Sequence, residues 1–160
     1  MHALRLFSFV GLLALLPACS LLDGLHEEAA SPRAGLTITR GTSFGLCAGY
    51  CQTELTATAE GIVFVRRARA TEDPTLTEER DLSADTWRTL AEQVNWDQLD
   101  AMDEVYGCPD CADGGTEWLE VIDEGRTNRI TFEYGQAPRE IVTLVSDLRA
   151  LAASFDGGDG

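Results

Sequence analysis

Four cysteines in this chain stand in two close pairs, Cys47-Ala-Gly-Tyr-Cys51 and Cys108-Pro-Asp-Cys111. Thiols so spaced support three chemistries. Positions three or four apart in a turn bring α-carbons to about 5–6 Å, which a disulfide accepts. Two pairs can also supply four thiolates to a tetrahedral zinc ion, and Cys-Pro-x-Cys has knuckle-like spacing. A Cys-x-x-Cys can exchange electrons with a partner. This last chemistry is disfavoured, because Asp110 and Asp113 flank Cys111 and nearby acids raise a thiol pKa. The segment after Cys111 is also rich in Asp and Gly rather than helix-forming.

The fifth cysteine, Cys19, ends a different kind of segment. His2 and Arg5 make a short n-region, and Leu6 to Leu16 is an uncharged apolar run. It falls short of the roughly 20 residues that span a bilayer and has the length of a secretory h-region. Leu16-Pro17-Ala18-Cys19 resembles the bacterial lipobox, with a small residue beside the cut and a thiol to take a diacylglyceryl group. Residues 1–18 are thus expected to be a lipoprotein signal peptide, with palmitate-type acylation after cleavage. Ser20, rather than Asp, implies by the same resemblance sorting to the outer membrane, facing the periplasm or the cell surface. More than one acyl chain makes the anchor stable. The expected partners are the bilayer, through acylated Cys19, and an envelope protein.

Export bears on the other four cysteines. An even number of thiols outside the cytoplasm favours disulfides. Local pairing is slightly preferred to cross-pairing, although local bridges close tiny loops and stabilise little, whereas a cross-link over about 60 residues would contribute roughly 4 kcal/mol. Zinc on Cys47, Cys51, Cys108 and Cys111 is the alternative; no other cofactor is expected.

The net charge is −15, and cleavage after residue 18 removes Arg5 and no acid. Such a chain is not built for nucleic acid. It contains no lysine, and its two histidines, His2 and His26, lie outside the expected domain. The domain therefore lacks a histidine base or ligand and a Schiff-base lysine. Most hydrolase designs are closed to it, and no catalytic residues are assigned.

Positioning elements follow from periodicity. Residues 19–35 carry the lipidated cysteine and a tether without apolar periodicity; 36–155 suit one domain; 156–160 read as a frayed tail. Leu36 to Arg40 alternates as a strand. Glu54 to Ala59 and Ile62 to Arg69 predict a hairpin turning at Glu60-Gly61. Thr71 to Glu79 reads as an acidic loop. Ser83 caps a helix bearing Trp87, Leu90, Ala91 and Val94, continued by Trp96 and Leu99. Met102 to Gly115 is a loop. Glu117 to Asp123 and Asn128 to Tyr134 predict a second hairpin. Pro138 opens a helix with a stripe of Ile141, Leu144, Val145, Leu148, Leu151 and Ala152. The expected class is α+β: an antiparallel sheet of about five strands, in the order β-ββ-α-ββ-α, packed against two amphipathic helices.

Phe44, Gly45, Cys47 and Tyr50, followed by the hairpin turn at Glu60-Gly61, are similar to the signature of the DUF6438 family of small bacterial domains. Ser43 and Ala48 stand where the family has its first cysteine and its proline. The resemblance covers about Leu36 to Ala153. It implies an exported, often lipid-anchored context and no catalytic residues.

Other features have plainer readings. Asp97, Asp100, Asp103 and Glu104 recur at helical spacing without EF-hand order, as a solvated acidic face would. Arg66, Arg67 and Arg69 suit an anion, but on so acidic a chain they more simply offset nearby acids. Trp87, Trp96 and Trp118 are expected in the core. The functional expectation is a non-catalytic, membrane-anchored periplasmic binding or structural domain. The alternative is a periplasmic enzyme, or a thiol–disulfide or zinc protein, using the two cysteine loops.

Overall fold

The computed structural model describes residues 33–68 and 75–156. The leader, Cys19 and most of the tether lie outside the described residues, as do 69–74 and 157–160. Strand β1, Thr37–Ser43, lies at the centre of a seven-stranded sheet. It pairs antiparallel on one side with β2, Tyr50–Thr58, and on the other with β6, Thr116–Asp123. Beyond β2 come β3, Gly61–Ala68, and the edge strand β4, Leu76–Arg80. Beyond β6 come β7, Arg126–Glu133, and the two-residue strand β5, Val105–Tyr106.

One face of this sheet is covered. Leu36 and Ile38 share it with Leu55, Ala57, Ile62 and Phe64 on one side of β1. Leu119, Val121, Ile130 and Phe132 continue it on the other side, and all of these side chains are buried. Against them lie the apolar faces of three helices. Helix α1, Ala84–Glu92, contributes Trp87, Leu90 and Ala91; α2, Trp96–Asp100, contributes Leu99. Helix α3, Val142–Asp156, contributes Leu144, Val145, Leu148, Ala152 and Phe155. Each fully buried side chain of this size stabilises by roughly 1.5–3 kcal/mol relative to exposure. Among the described residues no helix is long and apolar enough to cross a membrane.

The α+β class is as expected, and several details differ. The sheet has seven strands rather than about five and is mixed, because β5 runs parallel to β7. Part of the acidic loop after Thr71 is strand β4, whose Leu-Thr-Glu-Glu-Arg carries no apolar alternation; backbone pairing to β3 alone defines it. The helical stretch after Ser83 divides in two. Ser83 caps α1 by accepting from the Thr86 N–H at 3.1 Å, and Asn95 caps α2 anew by accepting from the Gln98 N–H at 3.1 Å. Pro138 does not open α3. It begins a turn, closed by the Ile141 N–H on its carbonyl at 3.1 Å, and the helix starts at Val142. Asp156 ends α3 rather than starting the tail. At the other end Arg33 donates to the Ala91 and Val94 carbonyls, so ordered contacts begin before Leu36.

Trp118 is the tryptophan that leaves the core. Its neighbours Glu117 and Leu119 point to the helices, so strand alternation sends Trp118 to the open face. There it lies on Gly41, where an added Cβ would meet its ring at 1.9 Å. The Arg129 guanidinium stacks over the ring at 4.6 Å.

Candidate functional site: an arginine cleft beside two disulfide loops

Along four neighbouring strands the covered face turns from apolar to polar toward the same end of the sheet. On β1 Ile38 gives way to Arg40 and Thr42, and on β2 Leu55 gives way to Thr53. On β3 Phe64 gives way to Arg66, and on β6 Leu119 gives way to Glu117. The register aligns Thr42 with both Thr53 and Glu117, and Thr53 with Arg66. Helix α3 closes this end with Arg149.

Glu117 is the centre of the cluster, and its side chain is fully shielded from solvent. Arg40 Nε donates to Glu117 Oε1 at 2.5 Å. Arg149 grips both oxygens, with Nε on Oε1 at 2.9 Å and Nη2 on Oε2 at 2.5 Å, and the Gly135 N–H donates to Oε2 at 3.1 Å. Burial pushes the Glu117 carboxyl up. The hydrogen bond from Arg149, the charge and hydrogen bond of Arg40 and the Gly135 N–H together outweigh it and hold the pKa below the ordinary value. The Glu117 hydrogen bond likewise raises the Arg149 pKa. Two guanidiniums on one carboxylate leave the triad with a net charge of +1.

That surplus faces a cleft of about 460 Å³ between the sheet end and α3. Arg40, whose side chain is 7% exposed, lines it and uses only Nε for its hydrogen bond; Nη1 and Nη2 have no partner among the described residues. Arg66 also lines the cleft. It donates through Nη2 to Glu78 and to the Phe155 carbonyl, both at 3.1 Å, and lies 3.4 Å from Asp156. Phe44, Tyr50, Phe64 and Tyr134 supply aromatic walls.

Both cysteine pairs sit at this end. Cys47 is bonded to Cys51 and Cys108 to Cys111, with Cα separations of 5.6 and 5.5 Å. Phe44 joins the two loops. Its N–H donates to the Cys51 carbonyl at 3.0 Å, and its ring meets Tyr134 edge-on at 4.8 Å. Gly115, at φ +85°, lies so close to the Phe44 ring that an added Cβ would stand 2.4 Å from it. The Gly45 N–H reaches Asp110 of the second loop at 3.4 Å. Cysteines bonded in this way offer no thiolate to a metal ion.

The remaining candidates disperse. Arg67 lies on the open face, 3.6 Å from Glu54, and Arg69 and Cys19 lie outside the described residues. Asp97, Asp103 and Glu104 are exposed, and Asp100 pairs with Arg126. Sequence reasoning missed Arg40, Glu117 and Arg149. Parity held the signal for two of them: Arg40 falls in step with Leu36 and Ile38, and Glu117 with Leu119 and Val121. Compared with known protein families and with curated proteins, the chain matches none.

Proposed function

We propose that this protein is an exported lipoprotein, acylated at Cys19 and held on the outer membrane. Its domain acts as a non-catalytic binding module, with the arginine cleft as its binding surface. The cleft carries the binding half of this reading: a buried, net positive cluster whose remaining donors have no partner among the described residues, on a chain of net charge −15. Placing such a cluster inside costs desolvation that a purely structural core would avoid. The apolar leader and the Leu-Pro-Ala-Cys segment carry the anchoring half. The similarity of Phe44 to Tyr50 to the DUF6438 signature supports the same exported context. The lack of histidine and lysine between residues 33 and 156 favours binding over acid–base or Schiff-base chemistry.

The test is native mass spectrometry of the mature protein after incubation with a small-molecule extract of the cell envelope. A retained molecule that is lost in Arg149→Gln supports a binding role for the cleft. Equal retention by both proteins, or none by either, refutes it.

A further inference from the structure

We infer that the cleft selects a small organic monocarboxylate, its carboxylate on Arg40 and Arg149 and its apolar body between Tyr50, Tyr134 and Phe44. This rests on the proposed binding role of the cleft and specifies its ligand.

The donors define the head group. Arg40 is nine-tenths buried, lines the cleft, is fixed through Nε to Glu117, and keeps both terminal nitrogens without a hydrogen-bond partner among the described residues. Arg149 uses Nε and Nη2 on Glu117 and keeps Nη1 without a hydrogen-bond partner among the described residues. Three N–H-bearing nitrogens on two guanidiniums thus remain for an oxyanion, the kind of group arginine holds as carboxylate or phosphate.

Charge decides between those two anions. The Arg40–Glu117–Arg149 triad has one positive charge to neutralise. The third arginine of the cleft, Arg66, pairs with Glu78 at 3.1 Å and Asp156 at 3.4 Å, and with Arg80, 3.9 Å from Glu78, that cluster is balanced two charges against two. A monoanion completes the triad. A phosphate dianion would bring a second negative charge toward Glu117, Glu78 and Asp156, without a cation to meet it.

The walls define the body. Tyr50 and Tyr134 are 38% and 47% exposed, large apolar surfaces held at the rim rather than in the core. The Phe44–Tyr134 contact, braced from below by Gly115, keeps one wall in place. A cleft of about 460 Å³ has the size of sites for amino-acid-like ligands.

The experiment is isothermal titration of the mature chain in nanodiscs, with empty nanodiscs subtracted. The probes are N-acetylphenylalanine, its carboxamide, and inorganic phosphate at matched ionic strength. The expected result is one N-acetylphenylalanine per chain, no measurable binding of the amide, and weaker or no binding of phosphate. Arg149→Gln should weaken the acid by at least about tenfold, the loss of a charge-assisted hydrogen bond. Tyr134→Ala alters an exposed residue and should weaken it about threefold or more, which keeps the test decisive if Arg149→Gln fails to fold. Equal binding of acid and amide, tighter binding of phosphate, unchanged affinity in either folded variant, or no binding of the acid overturns the inference. An envelope molecule retained through Arg149, with no binding of N-acetylphenylalanine, would refute only the ligand class. No retained molecule and no bound acid would refute the binding role as well.

Discussion

Arg149 on α3 holds both carboxylate oxygens of Glu117 on β6, at 2.9 and 2.5 Å, and so ties the last helix to the sheet through a fully buried charge. Removing one member of such a cluster leaves the others uncompensated. Glu117→Gln is expected to destabilise the domain by about 3 kcal/mol or more. Urea unfolding of the variant and the parent measures it. A change below 1 kcal/mol, on the order of a surface substitution, would show that the cluster is solvated rather than dry.

The same carboxylate predicts an acid response. Its folded pKa lies below the ordinary glutamate value, so at mildly acidic pH the unfolded chain binds the proton more readily than the native one. The stabilisation is complete above the unfolded pKa of about 4.3 and is lost as pH falls through the lower folded value. Stability measured from pH 6 down to about pH 2 should therefore fall, and less steeply in Glu117→Gln. Parallel pH profiles for the two proteins would contradict this.

Gly41→Ala tests the open face. The new methyl would overlap the Trp118 ring, and β1 is paired on both sides and cannot move away. A loss of about 1–3 kcal/mol is expected, as for other overpacked sites. In the double variant with Trp118→Ala the penalty of the added methyl should largely vanish. Simple additivity in a double-mutant cycle would show that the ring is not the obstacle.

The disulfides close loops of only a few residues. Reduction of the mature protein should add four hydrogens to its mass. Loss of either bridge by paired Cys→Ser substitution should cost at most about 2 kcal/mol, the chain-entropy value for so small a ring. A chelator should leave the melting temperature unchanged. A stoichiometric zinc ion with four free thiols would replace the disulfides with a metal site.

The anchor is tested apart from the fold. Cys19→Ala should abolish incorporation of a labelled fatty acid and leave an unprocessed or soluble chain. Label retained in the variant would place the lipid elsewhere and remove the basis for outer-membrane attachment.

Much of the fold was legible because it rests on local signals. The β-branched and aromatic run Ile62 to Val65, the hairpin of Glu117 to Asp123 with Asn128 to Tyr134, and the Ser83 cap all appear where neighbouring residues place them. Strand β4 was not legible, since its Leu-Thr-Glu-Glu-Arg owes its form to a backbone ladder with β3. The two-residue β5 likewise exists only through its parallel pairing with β7. Short spacing put each cysteine within reach of its neighbour and left cross-pairing and zinc open; the structure bonds Cys47 to Cys51 and Cys108 to Cys111.

The cleft divides differently. By its residue order the sequence determined the α+β class, the two hairpins, the amphipathic stripes and the nearness of each cysteine to its partner. Strand parity also committed Arg40 and Glu117 to the helix side. Only the tertiary structure decided that these two charges meet Arg149, 32 residues beyond Glu117, and that the two disulfide loops meet at the same end of the sheet through Phe44, Gly45 and Asp110. The reason is physical. A charge in a strand shows which face it takes from its own neighbours, but what neutralises it depends on register across the sheet and on where α3 crosses, which no local pattern encodes.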